Sequence, residues 1–150
     1  MAATSLDRAV ALNPNAAHAW RIKGQIHAVR NQPEAAIEAL ERAHRLSPFS
    51  FGNVFNTALA HLAAHRFEQA IEWADRNLHE QPRSAPAMRV KLVANAHLGR
   101  LDEAHAELSR MLAIDPKLTI AGYREYAHFM APEFLELLVT GLRLAGLPER

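Results

Sequence analysis

Pro33-Glu-Ala-Ala-Ile-Glu-Ala-Leu-Glu-Arg-Ala-His-Arg-Leu-Ser-Pro48 is the stretch that decides the fold. Pro33 suits the first turn of a helix, where its missing N–H has no intrahelical acceptor to lose. Ile37, Leu40 and Ala43 to Leu46 then recur at steps of three and four, the signature of one apolar helical face. Pro48 biases Ser47 away from helical geometry and stops the run. The segment therefore predicts an amphipathic helix over 33–46. Its ending recurs twice, as Ala9-Val-Ala-Leu-Asn-Pro14 and Met111-Leu-Ala-Ile-Asp-Pro116.

Working outward, Pro14, Pro48, Pro82 and Pro116 stand 34 residues apart, and Ala2, Ala36, Ala70 and Ala104 keep the same interval. Two residue series sharing one register mark an internal repeat, each unit being one supersecondary element. Before residue 33 the pattern predicts a partner helix over 16–30, with Asn15 as its N-cap. The following units predict helices near 51–64, 67–80, 85–98 and 101–114. Ser84 is the expected N-cap of the fifth, and Gly99 its C-terminal turn.

A 34-residue helix–turn–helix carrying Trp20, Gly24, His27, Ala36, Leu40, Ala43 and Pro48 resembles the tetratricopeptide repeat. Lys23 and His27 depart from the Leu and Tyr that this family prefers. The second unit keeps Ala58, Ala70 and Pro82 but has Val54 and His61 in the aromatic slots. The third keeps Leu101 to Ala104 and Pro116, with Leu92 in a small-residue slot, which predicts a wider spacing of its two helices. The resemblance implies an all-α fold, a right-handed superhelical array of antiparallel helix pairs. Residues 1–150 form a single domain on this reading. It comprises a half-repeat at 2–14, repeats at 17–50, 51–84 and 85–118, and C-terminal capping helices at 119–150. Gly24 and Ala36 allow close helix approach, while Trp20, Leu40 and Phe67 fill the space between successive helices.

Bulk properties narrow the function. Seventeen Lys and Arg against sixteen Asp and Glu give a net charge of +1, without the basic stripe of a nucleic-acid binder. There is no cysteine, so disulfides and thiolate metal sites are absent, which fits a reducing compartment. The first residues lack the features of a signal peptide, and no apolar run is long enough to span a bilayer. A cytoplasmic protein that contacts neither nucleic acid nor membrane is expected.

Beyond Pro116 the period fails. Thr119 is placed to cap a short helix reaching Tyr126, and Pro132 to open a last helix ending near Gly146. Phe134, Leu135, Leu137, Leu138, Val139, Leu142 and Leu144 make that helix apolar around most of its circumference, so burial on more than one side is expected. Two arrangements follow: packing on the third repeat, or a contact shared with a second chain or domain. The half-repeat at 2–14 is likewise exposed to self-association. It suggests either a fragment of a longer protein or a truncated product beginning at Met1. The segment from Leu118 to Pro148 resembles the tail of bacterial signalling proteins in which such repeats follow a class III adenylate/guanylate cyclase or winged-helix domain. That resemblance implies a regulatory region with its output domain upstream.

Candidate chemistry is sparse. His61 and His65 lie one helical turn apart, a zinc-compatible spacing, but no third ligand accompanies them and His61 occupies a packing slot. Asp102 and Glu103 point away from each other on a helix and suit its positive N-terminal end better than acid–base work. No nucleophile motif or phosphate loop is present, so a non-catalytic chain without cofactor or metal is expected.

The resemblance implies a concave groove lined by the first helix of each unit. Its residues would be His18, Arg21, Gln25, Ala28 and Val29, then Gly52, Phe55, Leu59, Leu62 and Ala63, then Pro86, Arg89, Val93, Ala96 and His97. The paired Lys and Asn that clamp a peptide carboxylate in some members are missing. The expected partner-binding residues are Arg21, Gln25, Phe55, Leu59, Leu62, Arg89, Val93 and His97. They form an apolar floor with arginine flanks, suited to an amphipathic helix with an acidic edge. The competing readings are a small-molecule pocket in the same groove, and a groove already packed by the chain's own terminal helix.

Overall fold

A computed structural model describes residues 2–13, 15–48 and 50–150, without the side chains at 2–4, 6 and 51; Met1, Pro14 and Phe49 lie outside it. The described residues form helices α1 (Ala2–Leu12), α2 (Ala17–Val29), α3 (Pro33–Leu46), α4 (Phe51–Ala63) and α5 (Phe67–Glu80). They continue as α6 (Ala85–His97), α7 (Leu101–Ile114), α8 (Ile120–Tyr126) and α9 (Pro132–Leu144), with no strand among them. None is long and apolar enough to cross a membrane.

The pairs α2/α3, α4/α5 and α6/α7 pack within themselves, and each is joined to the next through α3 on α4 and α5 on α6. This is a solenoid-like stack in which each unit buries its apolar stripe against its neighbour. Inside the first pair a side chain at Gly24 would put its Cβ 2.4 Å from Leu40 Cγ, so only glycine admits this approach. Ala36, Ala58, Ala70 and Ala104 are fully buried, as small residues at helix crossings. The third pair solves the same crossing with larger groups, since Leu92 and Leu108 are both buried.

The turn inside each unit has a single design. Asn31, His65 and Gly99 have φ of 58°, 60° and 79°. The next N–H reaches back to the helix in every case: Gln32 to the His27 carbonyl, Arg66 to His61 and Arg100 to Asn95. These left-handed caps satisfy carbonyls that the helix end leaves without partners. Ser84 caps α6 as expected, its hydroxyl accepting from the Ala87 N–H at 3.3 Å. Asn15 does not cap α2, whose N-cap is Ala16. Instead the Asn13 side chain accepts from the Asn15 N–H, holding the turn before the helix. Ion pairs repeat with the period too: Glu34 with Arg66, then Glu68 with Arg100.

Candidate functional site

The last helix determines what the repeats leave open. α9 packs along α6 with Gly141 over Val93, where a Cβ at 141 would lie 2.9 Å from the Val93 Cα. His97 Nε2 meets the Leu137 carbonyl at 2.8 Å, and its ring stacks on Phe67 with centroids 5.1 Å apart. At the other end of the stack, the Ala131 N–H donates to the Val29 carbonyl at the end of α2. Phe134, Leu138, Val139 and Leu142 are fully buried, which is the many-sided burial expected from the composition of α9. This terminal segment thus packs on α6 and is tied to α2 by the Ala131–Val29 bond, standing over part of the face formed by α2, α4 and α6.

What stays open is a cleft of about 180 Å³ between that face and α8. Gln25, Phe55, Leu59 and Arg89, four of the expected groove residues, line it together with Val29 and Pro86. Leu62 and Val93 do not line it: both are fully buried, Val93 under α9. His97 is held by Leu137 and Phe67 rather than facing a groove. Arg21 lies apart, bonded to His18 Nδ1 at 2.7 Å and packed over Gly52. The predicted floor is therefore split, because α9 takes the half nearest α6.

Tyr123, Tyr126 and Phe129 form the opposite wall of the cleft, and the repeat pattern did not reveal them. Tyr126 and Phe129 are 65% and 58% exposed, unusual for aromatic rings this close together. Tyr123 and Tyr126, three residues apart, share one side of α8, and Phe129 follows in the turn beyond it. Arg89 lies over the Tyr123 ring at 4.7 Å. Arg89 Nε and the Tyr123 hydroxyl are both buried. Burial raises the Tyr123 phenol above its usual pKa, and the charge and hydrogen bonding of Arg89 oppose that rise. The half-buried Arg89 guanidinium is thus the charged group of the cleft, held against the Tyr123 ring.

The histidines behave as packing groups. His61 Nδ1 is buried without a partner, and burial followed by Arg66 lowers its pKa. His65 occupies the left-handed turn beside Phe67. Among the described residues no three His, Asp or Glu converge to hold a metal.

No curated protein matches the chain. Solved structures do resemble it. YrrB, described as a TPR protein with an unusual peptide-binding site, superposes with a TM-score of 0.64 at 20% identity, over 95% of this chain and 75% of that one. TTC0263, a thermophilic TPR protein from Thermus thermophilus, gives a TM-score of 0.66 at 21% identity, over 95% of this chain and 88% of that one. At these identities the likeness is one of fold. The tetratricopeptide repeat profile matches residues 2–51 and 55–118. With the turns, small-residue crossings and stacked pairs described above, this match makes the chain a member of the tetratricopeptide repeat family.

Proposed function

We propose that the chain is a non-catalytic interaction module that captures an extended peptide, seating an apolar side chain and an adjacent carboxylate in the aromatic cleft. The observation that carries this reading is an apolar cleft walled by Phe55, Leu59, Tyr126 and Phe129, with the half-buried Arg89 lying over the Tyr123 ring at its side. A carboxylate pairs with the Arg89 guanidinium as a charge-assisted acceptor, while Phe55, Leu59 and the exposed rings of Tyr126 and Phe129 take the apolar group. At about 180 Å³ the cleft fits one or two side chains. That volume suits a small anchor group rather than a drug-sized ligand. It is also too small for a whole amphipathic helix, whose place α9 already takes. Members of this family generally mediate protein–protein interaction and are typically non-catalytic. YrrB supplies a precedent for peptide binding on the same fold. The regulatory role in a cyclase-type or winged-helix signalling protein is supported only by the resemblance of the tail from Leu118 to Pro148.

The test is selection of peptides from a displayed library, followed by titration against variants. Phe55→Glu is expected to abolish binding with the helical circular dichroism unchanged, and Arg89→Gln to weaken acidic peptides about tenfold or more. Selected peptides that bind both variants as tightly as the parent would overturn the cleft assignment.

A further inference from the structure

On the other side of α4 from the aromatic cleft, the repeat period exposes a missing cation. Asp7, Glu41 and Asp75 share one register position; Lys23, Thr57 and Lys91 share a second; Ala39, Trp73 and Glu107 share a third. Between α1 and α2 the lysine is used, since Lys23 Nζ lies 2.8 Å from Asp7 Oδ1. Between α5 and α7 it is used twice, Lys91 Nζ lying 2.8 Å from Asp75 Oδ1 and 3.3 Å from Glu107 Oε1. Burial alone would lower the Lys91 pKa, but the two carboxylates outweigh it and hold it raised. In the middle junction the chain has Thr57, whose hydroxyl donates to the Asn53 carbonyl at 2.6 Å instead of reaching across.

A cavity of about 280 Å³ opens at that point, lined by Glu41, Thr57, His61, Trp73, His44 and Leu40 among others. Glu41 forms no ion pair among the described residues, even with Arg45 one turn on, which also lines the cavity. His61 Nδ1 is buried without a hydrogen-bond partner, and the Glu41 charge acts on the His61 ring. The Trp73 indole has Arg76 over one face at 4.2 Å and the His44 ring at its edge, 87° to its plane. A carboxylate, an imidazole and an indole lining one cavity offer an alkylammonium an ion pair and aromatic contact.

We propose that this cavity is a binding site for a primary alkylammonium group, which supplies in trans the cation that Lys23 and Lys91 supply in cis. Leu40 and Ile37 give the methylene stem an apolar bed, and Glu41 receives the charge. The same chemistry is presented by a lysine side chain of a bound protein and by a free aliphatic diamine.

The full chain is titrated calorimetrically with Nα-acetyl-lysine N-methylamide, with the same compound acetylated on Nε, and with cadaverine. Saturable binding of the lysine amide, at least tenfold weaker for the Nε-acetylated form, is expected. Glu41→Gln, a change at an exposed carboxylate, should weaken it about threefold to tenfold. Thr57→Lys should abolish it while raising Tm, because the new ammonium occupies the site. Tighter binding of the lysine amide than of cadaverine assigns the cation to a protein partner, and the reverse order to a free polyamine. Absence of saturable binding by both amines, equal binding of the acetylated form, or unchanged affinity in Glu41→Gln would overturn the proposal, even if Thr57→Lys fails to fold.

Discussion

His65 carries a conformational cost that its counterparts avoid more cheaply. It shares the left-handed turn position with Asn31 and Gly99, at φ 60°, yet has neither the short polar side chain of asparagine nor the freedom of glycine. Its compensation is a tilted contact with Phe67, ring centroids 5.6 Å apart. Replacing His65 by Gly removes the backbone strain and loses that exposed contact. Thermal denaturation of His65→Gly should show a gain of about 0.5–1 kcal/mol, a Tm rise of about 1–4 °C. An equal or lower Tm would mean that the Phe67 contact outweighs the strain. The position is visible in the sequence only as Gly99; the 34-residue register extends it to His65, which lies beyond the end of the helix that carries His61. Asn15 fails as a cap for a related reason: two asparagines flank the loop before α2, and the one that bonds back is Asn13.

The elements legible from the sequence are those governed by the period. Helix bounds for α2 to α7 fall within a residue or two of the reading, because prolines and left-handed turns punctuate every unit. The cleft was half legible: Gln25, Phe55, Leu59 and Arg89 obey the repeat, whereas the α8 wall is set by tertiary packing that no periodicity encodes. α8 has seven residues, too short to persist alone in water. Its first N–H groups are satisfied from outside: Thr119 Oγ1 accepts from Gly122, and the carbonyls of Pro148 and Glu149 accept from Ile120 and Ala121. Two ion pairs secure this tail, Arg124 with Glu136 and Arg143 with Glu149. The paired arginines hold both carboxyls below their ordinary value of 4.5. A depressed carboxyl pKa contributes above the unfolded value and loses that contribution as pH falls through the folded one. Hydrogen-exchange protection of the Ile120 and Ala121 amides, corrected for intrinsic rates, should therefore be flat from pH 7 to about 5 and decline below about 4.5. Protection independent of pH down to 3 would show that the backbone bonds hold α8 without the ion pairs.

At the scale of the molecule, a bare repeat array interacts only between neighbours, and its units can open separately. This chain adds a strap. α8 and α9 turn back over the face of α2, α4 and α6, tied to the first pair by the Ala131–Val29 bond and to the third by Gly141 on Val93. Opening any one pair then disturbs the strap on the others. Urea unfolding followed by tryptophan fluorescence, which reports Trp20 and Trp73 in the first two units, should coincide with the transition seen by far-ultraviolet dichroism. Gly141→Leu should separate the two curves, since a bulky side chain cannot enter the 2.9 Å gap at Val93 Cα. Coincident curves in that variant would place the coupling in the helix stack alone.

The Val29–Ala131 bond also has a bearing on how the chain comes off the ribosome. Contacts within and between neighbouring repeats join residues close in sequence, which meet quickly and in the order of synthesis. This one must wait until residue 131 has emerged, long after α2, α4 and α6 have stacked. The growing chain passes through a stage in which Phe55 and Leu59 face water across an uncovered groove, and the aromatic cleft is the last part of the molecule to be born.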